Sequence, residues 1–123
     1  MFSKIKLLDC TIRDGGYINN WEFNSEFGKS LIESIARSGC EYIEVGFFNP
    51  LDPNPVLYKN FNSNNIRDFI NDKVKTVLLV NYTNELNLEV FPPQAELGAS
   101  MLRFASHKTD RAAATELAAR WLI

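Results

Sequence analysis

The densest chemistry in the chain lies in Asp9-Cys10-Thr11-Ile12-Arg13-Asp14-Gly15-Gly16-Tyr17, where two carboxylates, a guanidinium and a phenol share nine positions. Far from it in sequence stand Glu44, Arg103 and the single histidine, His107. An ionised carboxylate inside a sheet is costly unless it meets a cation or several donors. Glu44 and Asp9 therefore need partners, and Arg13 and Arg103 are the guanidinium groups available. A structural ion-pair network, with Arg13-Asp14 a loop pair, is the plain reading. Clustering of these groups at strand ends beside a glycine-rich loop points instead to an anion or metal-enolate site.

Those residues must be positioned by alternating elements. Ile5 to Thr11 reads as a short buried strand, followed by a loop at Asp14-Gly15-Gly16 and Asn19-Asn20. Asn24 or Ser25 caps a helix with Phe27, Leu31, Ile32, Ile35 and Ala36 at helical spacing, and Gly39 ends it. Glu41 to Phe48 is the second strand, and Pro50, Pro53 and Pro55 force an extended loop. A short helix over Asn64 to Asn71 carries Ile66, Phe69 and Ile70 on one face. Val74 to Tyr82 is the third strand, Met101 to Ser106 the fourth, and Arg111 to Trp121 an alanine-rich helix. The stretch from Asn84 to Gly98 is a weak connector broken by Pro92-Pro93.

Such alternation predicts a parallel α/β sheet with helical crossovers. It fits a small open sheet or the first four β/α units of an eight-stranded barrel, which needs about 250 residues. The apolar end at Trp121-Leu122-Ile123, with no cap or polar tail after it, favours the half barrel. Ligands of such folds bind at the carboxyl ends of the strands. Side-chain parity puts Ile43, Val45 and Phe47 outward, under the helices, and Tyr42, Glu44 and Gly46 inward. In the fourth strand, Leu102 and Phe104 face outward while Arg103, Ala105 and His107 face inward. In the first, Leu7, Asp9, Thr11 and Arg13 share a parity.

The chain has 123 residues, a net charge of -2 and 46% hydrophobic content, one domain's worth of ordinary globular sequence. The slightly acidic balance argues against nucleic-acid binding. No apolar run approaches the roughly 18 residues that span a bilayer, and the first residues lack a signal-peptide pattern, so a cytoplasmic protein is expected. Cys10 and Cys40 fall at opposite strand ends, some ~15 Å apart, and read as free thiols.

The run Leu8-Asp9-Cys10-Thr11-Ile12-Arg13-Asp14-Gly15-Gly16-Tyr17, followed by Asn19-Asn20-Trp21, resembles the first-strand signature of the metal-dependent (DRE-TIM) aldolase and acyl-transfer barrels. These include hydroxymethylglutaryl-CoA lyase, isopropylmalate and homocitrate synthases and 4-hydroxy-2-oxovalerate aldolase. Ile43-Glu44-Val45-Gly46-Phe47 is similar to their second strand. Met101-Leu102-Arg103-Phe104-Ala105 with His107 resembles the fourth strand of the oxovalerate aldolases. The likeness runs over residues 1–123 but corresponds to the amino-terminal half of the barrel alone.

That resemblance implies carbon–carbon bond cleavage or formation through a pyruvate-type enolate, on a small 2-oxo acid substrate, with Mn²⁺ or Mg²⁺ as Lewis acid. It makes Asp14 a metal ligand and Arg13 the group on the substrate oxygen, with Glu44 orienting Arg13. Gly15 and Gly16 would give a tight turn beside the ligand. Arg103 and His107 are further substrate-binding candidates, and His107 and Tyr17 candidate proton-transfer groups. His107 reads equally well as part of a helix-start loop in which Thr109 or Asp110 caps, Tyr17 as packing, and Lys108 as solvated. Three features depart from the family. Gly16 and Tyr17 stand where the oxovalerate aldolases have a catalytic histidine, the His-x-His metal pair is absent, and strands five to eight are missing. The remaining metal ligands would thus come from outside this chain. The expected activity is an aldolase that is incomplete in this fragment. The alternatives are a Claisen-type acyltransferase or an inactive half barrel, with the open strand edges recruiting a second copy or the missing carboxyl-terminal half.

Overall fold

The computed structural model describes residues 5–121. In chain order the elements are β1 (Leu8–Asp9), α1 (Thr11–Asn19), α2 (Ser25–Arg37), β2 (Tyr42–Phe48), β3 (Asn60–Phe61), β4 (Lys75–Asn81), α3 (Gln94–Leu97), β5 (Met101–Ala105) and α4 (Arg111–Trp121). Short 3₁₀ turns occupy Asn65–Phe69, Leu88–Val90 and Lys108–Asp110. All strand pairs are parallel, in the order β1-β2-β4-β5, with the two-residue β3 paired to the end of β2. The α/β expectation is met, with five strands and four α-helices among the described residues. None of the helices described is long and apolar enough to cross a membrane.

Local chemistry explains α2. The Asn24 side chain accepts from the backbone N–H of Glu26 at 2.8 Å and of Phe27 at 3.4 Å, which satisfies donors the helix cannot. Gly39, at φ +87°, takes the left-handed conformation that ends it. Ile32 and Ala36 are buried while Phe27 is exposed, so the buried stripe is narrower than the periodicity suggests. Beneath the helices, Ile43, Val45, Phe48, Leu78 and Val80 form the core with Phe61 and Ile66.

Several expectations need correction. The first strand is shorter than Ile5 to Thr11, and Ile5 and Leu7 are exposed. Residues 11–19, read as mostly loop, are helical, so strand parity does not extend to Thr11 and Arg13. Gly15 and Gly16 are therefore helical residues rather than a turn. A Cβ on Gly16 would lie 2.0 Å from the Trp21 ring, so glycine is there to admit the indole. The left-handed residues are Asn20 and Trp21, just after the helix. Ile70 is exposed, leaving Ile66 and Phe69 as the buried pair of the segment after β3. The Trp21 and Tyr17 rings meet edge to face at 4.8 Å.

A bulge in β2 matters most for the site. Glu44 pairs with Val77 and Gly46 with Leu78, so Val45 is an extra residue in the strand. Side-chain parity changes there. Phe47 joins the Glu44 side of the sheet, and Gly46 and Phe48 take the helix side, contrary to strict alternation. Gly46 suits its position, because a Cβ would meet the Tyr58 carbonyl oxygen at 2.4 Å and the Phe61 ring at 2.6 Å. The apolar end is also partly covered: the Trp121 indole donates to the Pro92 carbonyl at 3.1 Å. Leu122 and Ile123 lie outside the described residues.

Candidate active site

The carboxylate of Glu44, with no solvent exposure, projects from the middle of β2 on the sheet face opposite the helices' core. Val77 of β4 stands beside it in register, and Arg103 of β5 reaches across β4 from two residues further toward the carboxyl ends. Arg103 grips the carboxylate with two donors, Nε to Oε2 at 2.7 Å and Nη2 to Oε1 at 2.8 Å. Arg13, from the first turns of α1, donates Nε to Oε1 at 2.7 Å. One buried carboxylate is thus held by two guanidinium groups from opposite sides. Three charge-assisted bonds satisfy an ion that burial alone would destabilise.

The electrostatics follow from this geometry. Burial raises the pKa of Glu44, but the hydrogen bonds from Arg103 and Arg13 outweigh it and hold the group below the ordinary carboxylate range. The Arg103 guanidinium is raised by its bonds to Glu44. Burial alone would lower Arg13, but the Glu44 contacts reverse that and raise it. All three groups remain charged across the neutral range. Burial pushes the nearby Cys10 thiol up, and both Cys10 and Cys40 are free.

The two arginines keep donors beyond Glu44. Arg103 remains 42% exposed, and Arg13, at 11%, extends Nη1 to Asp14 Oδ1 at 2.5 Å. Asp14 itself is 66% exposed at the mouth of the site. The backbone of Arg13 is fixed as well, because its carbonyl accepts the Trp21 indole N–H at 2.9 Å. Phe47 completes the wall, with its ring centre 5.9 Å from the Arg13 guanidinium carbon.

The other candidates are disposed differently. Asp9 does not meet an arginine. It accepts from the Thr11 backbone and hydroxyl, both at 3.0 Å, and so serves the start of α1. Tyr17, 65% exposed, packs edge-on against Trp21 and Phe47 at the rim. His107 lies beyond the end of β5 in an exposed turn, where its backbone carbonyl accepts the Asp110 N–H at 3.0 Å. Arg13, Asp14, Glu44 and Arg103 are brought together; His107 is not joined to them by any hydrogen bond among the described residues.

A divalent metal would need more than this chain presents. No three His, Cys, Asp or Glu side chains converge in a metal-holding group among the described residues. Asp14 is a single carboxylate already turned to Arg13, too few ligands for Mg²⁺ or Mn²⁺. The described residues do not make a metal centre by themselves.

Three motif residues, Tyr17, Trp21 and Phe47, join others that motif reading passes over, Asn81 and Thr83 among them, in a cleft of about 610 Å³ at the carboxyl ends of β2 and β4. Tyr17, Trp21 and Phe47 make its aromatic side, while Asn81 and Thr83 contribute polar groups from the end of β4. Asp52 is held by an Asn60 amide N–H at 2.7 Å, and this bond, with one from the Asn54 backbone, lowers its pKa. The one signal for this region in the sequence is the density of Asn and Asp after Pro50.

No protein-family model matches the chain, and no curated protein matches it. Among solved structures, the N-terminal domain of a candidate aldolase from Bacteroides vulgatus is similar, with a TM-score of 0.68 and 25% identity over 96% of this chain. The present chain spans 40% of the length of that one. By fold, the chain resembles the amino-terminal domain of an aldolase candidate.

Proposed function

We propose that this chain is the substrate-anchoring amino-terminal part of a metal-dependent carbon–carbon lyase, of the 4-hydroxy-2-oxo acid aldolase type, built on the first half of a (β/α)₈ barrel. The observation that carries this reading is the Arg13–Glu44–Arg103 clamp on the open face of the parallel sheet, mid-strand rather than at the strand ends that the sequence suggests. The match to the domain of an aldolase candidate supports it.

The chemistry runs through charge at an oxygen. Breaking a carbon–carbon bond next to a ketone leaves an enolate, whose oxygen needs positive charge that is already in place. Guanidinium supplies that charge independently of pH, and Glu44 fixes both planes so that they need not reorganise. Asp14, exposed and on Arg13 Nη1, occupies the position a substrate oxygen would take. Its withdrawal frees that donor, and Arg103 has exposed N–H groups for the substrate carboxylate. A metal would supply Lewis acidity, with Asp14 as one ligand and the others from outside this chain. Tyr17 and His107 lie at the periphery, so neither holds a proton at the clamp. A chain that supplies the clamp alone is expected to turn over little by itself.

Oxamate, which carries a carboxylate beside a carbonyl as pyruvate does, tests the reading. Titrated into the chain and followed by nuclear magnetic resonance, it should bind saturably. Arg103→Ala and Arg13→Ala should each weaken binding by about tenfold or more. Equal binding by both folded variants would remove the clamp from the substrate site.

A further inference from the structure

The cleft beside the clamp has walls of a kind that selects its occupant. Trp21 and Phe47 meet edge to face at 5.5 Å, with Tyr17 against both, so one side presents aromatic C–H and ring surfaces. The Lys59 ammonium sits 5.7 Å over the Trp21 ring. Asn81 and Thr83, exposed at the end of β4, add an amide and a hydroxyl to the same lining.

Charge and polarity narrow the choice. Among the described residues, Lys59 is the single cation lining the cleft, against the carboxylates of Asp52 and Glu85. A phosphorylated or otherwise anionic ligand would enter a lining of net negative charge, which disfavours it. A purely aliphatic ligand would strip water from Asn81 and Thr83 without replacing the lost hydrogen bonds, at a cost for each group. A chain of C–H faces and hydroxyl groups satisfies both kinds of lining, since its C–H surface lies on the rings and its hydroxyls meet the amide, hydroxyl and carboxylate groups.

We propose that this cleft binds a neutral, polyhydroxylated carbon chain, and that such an aldehyde is the second substrate of the aldol reaction. The identity of the second substrate rests on the lyase reading above; binding of a polyol does not. Trp21 and Phe47 join the two sites, because Trp21 holds the Arg13 carbonyl and Phe47 lies on the Arg13 side chain. In the synthetic direction the enolate carbon adds to the aldehyde carbon. One carbon–carbon bond forms, the aldehyde π pair becomes an alkoxide that takes one proton from water, and no oxidant or reductant is involved. The reverse returns that proton and releases the hydroxylated aldehyde.

Ribitol, 1-butanol and glycerol 3-phosphate are the probes, titrated into the chain by ligand-observed nuclear magnetic resonance. Ribitol should bind at least about fivefold more tightly than either of the others, with saturation transfer from the aromatic protons to its C–H groups. The double variant Asn81→Leu, Thr83→Val, with its fold verified by circular dichroism, should weaken ribitol by about fivefold or more and leave oxamate unchanged. Arg103→Ala should do the opposite. Ribitol binding by the unsubstituted chain without oxamate binding, or oxamate binding unchanged by Arg103→Ala, would damage the lyase reading and not the cleft. Tighter binding of butanol or of glycerol phosphate, or no ribitol binding up to about 100 mM, would overturn the proposal.

Discussion

Two segments leave the sheet at the carboxyl ends of its outermost strands, one after β1 and one after β5. Both carry residues suited to catalysis, and they come out differently. The segment after β1 folds straight into α1, and Arg13 reaches 31 residues along the chain to Glu44. The segment after β5 makes a short 3₁₀ turn that leaves His107 exposed. Residue type does not separate them, since a histidine at a strand end is as reactive in principle as an arginine. What separates them is long-range anchoring: Trp21 ties the Arg13 backbone and Glu44 ties its side chain.

Removing the anchor should have the largest effect. Glu44→Ala would leave Arg103 with no counter-charge and Arg13 with Asp14 alone, at a cost of about 3 kcal/mol, read from urea unfolding. A cost near zero would mean the clamp opens freely to water. Next comes the wall behind Arg13. Gly16→Ala places a methyl inside the Trp21 ring's space, and such overpacking should cost about 1–3 kcal/mol and loosen oxamate binding. An undisturbed Trp21 fluorescence spectrum would show that the indole is not held as described.

Acid provides a gentler way to open the same contact. The folded-state pKa of Glu44 is depressed from 4.5, so its contribution to stability is present above about that pH. It is lost as pH falls through the lower folded-state value and the carboxylate takes a proton. The urea midpoint of the chain should fall with acid more steeply than that of Glu44→Gln, and parallel profiles would contradict the depression. The smallest effect belongs to the other segment. His107→Ala should change stability by no more than about 0.5 kcal/mol and leave oxamate affinity unchanged, by the same two assays.

The sequence made the clamp legible because cost argues for it: a carboxylate in a buried strand demands cations, and Arg13 and Arg103 were the candidates. Inward parity is readable for Arg103 because it sits inside a regular strand, and for Glu44 because it lies just before the bulge. Phe47 was misread because a bulge at Val45 leaves no mark on apolar alternation. The helix over residues 11–19 was hidden by Gly15-Gly16, which signal a turn in isolation but here make room for Trp21. Asp9 was paired with the wrong class of partner, since a local backbone donor two residues away competes well with a distant arginine. The cleft at Asn81 and Thr83 draws its walls from separate loops, and no spacing along the chain encodes that.

The central claim, that both guanidinium groups held by Glu44 also receive a 2-oxo acid, can be observed at the donors themselves. In ¹⁵N-labelled chain, the Nε–H resonances of Arg13 and Arg103 should be slowed in solvent exchange by their bonds to Glu44. They should shift together and saturably as oxamate is added, with Arg103→Ala removing one signal and weakening the shift of the other. If both resonances stay fixed while oxamate saturates elsewhere on the protein, the clamp is a structural ion pair and not a substrate site.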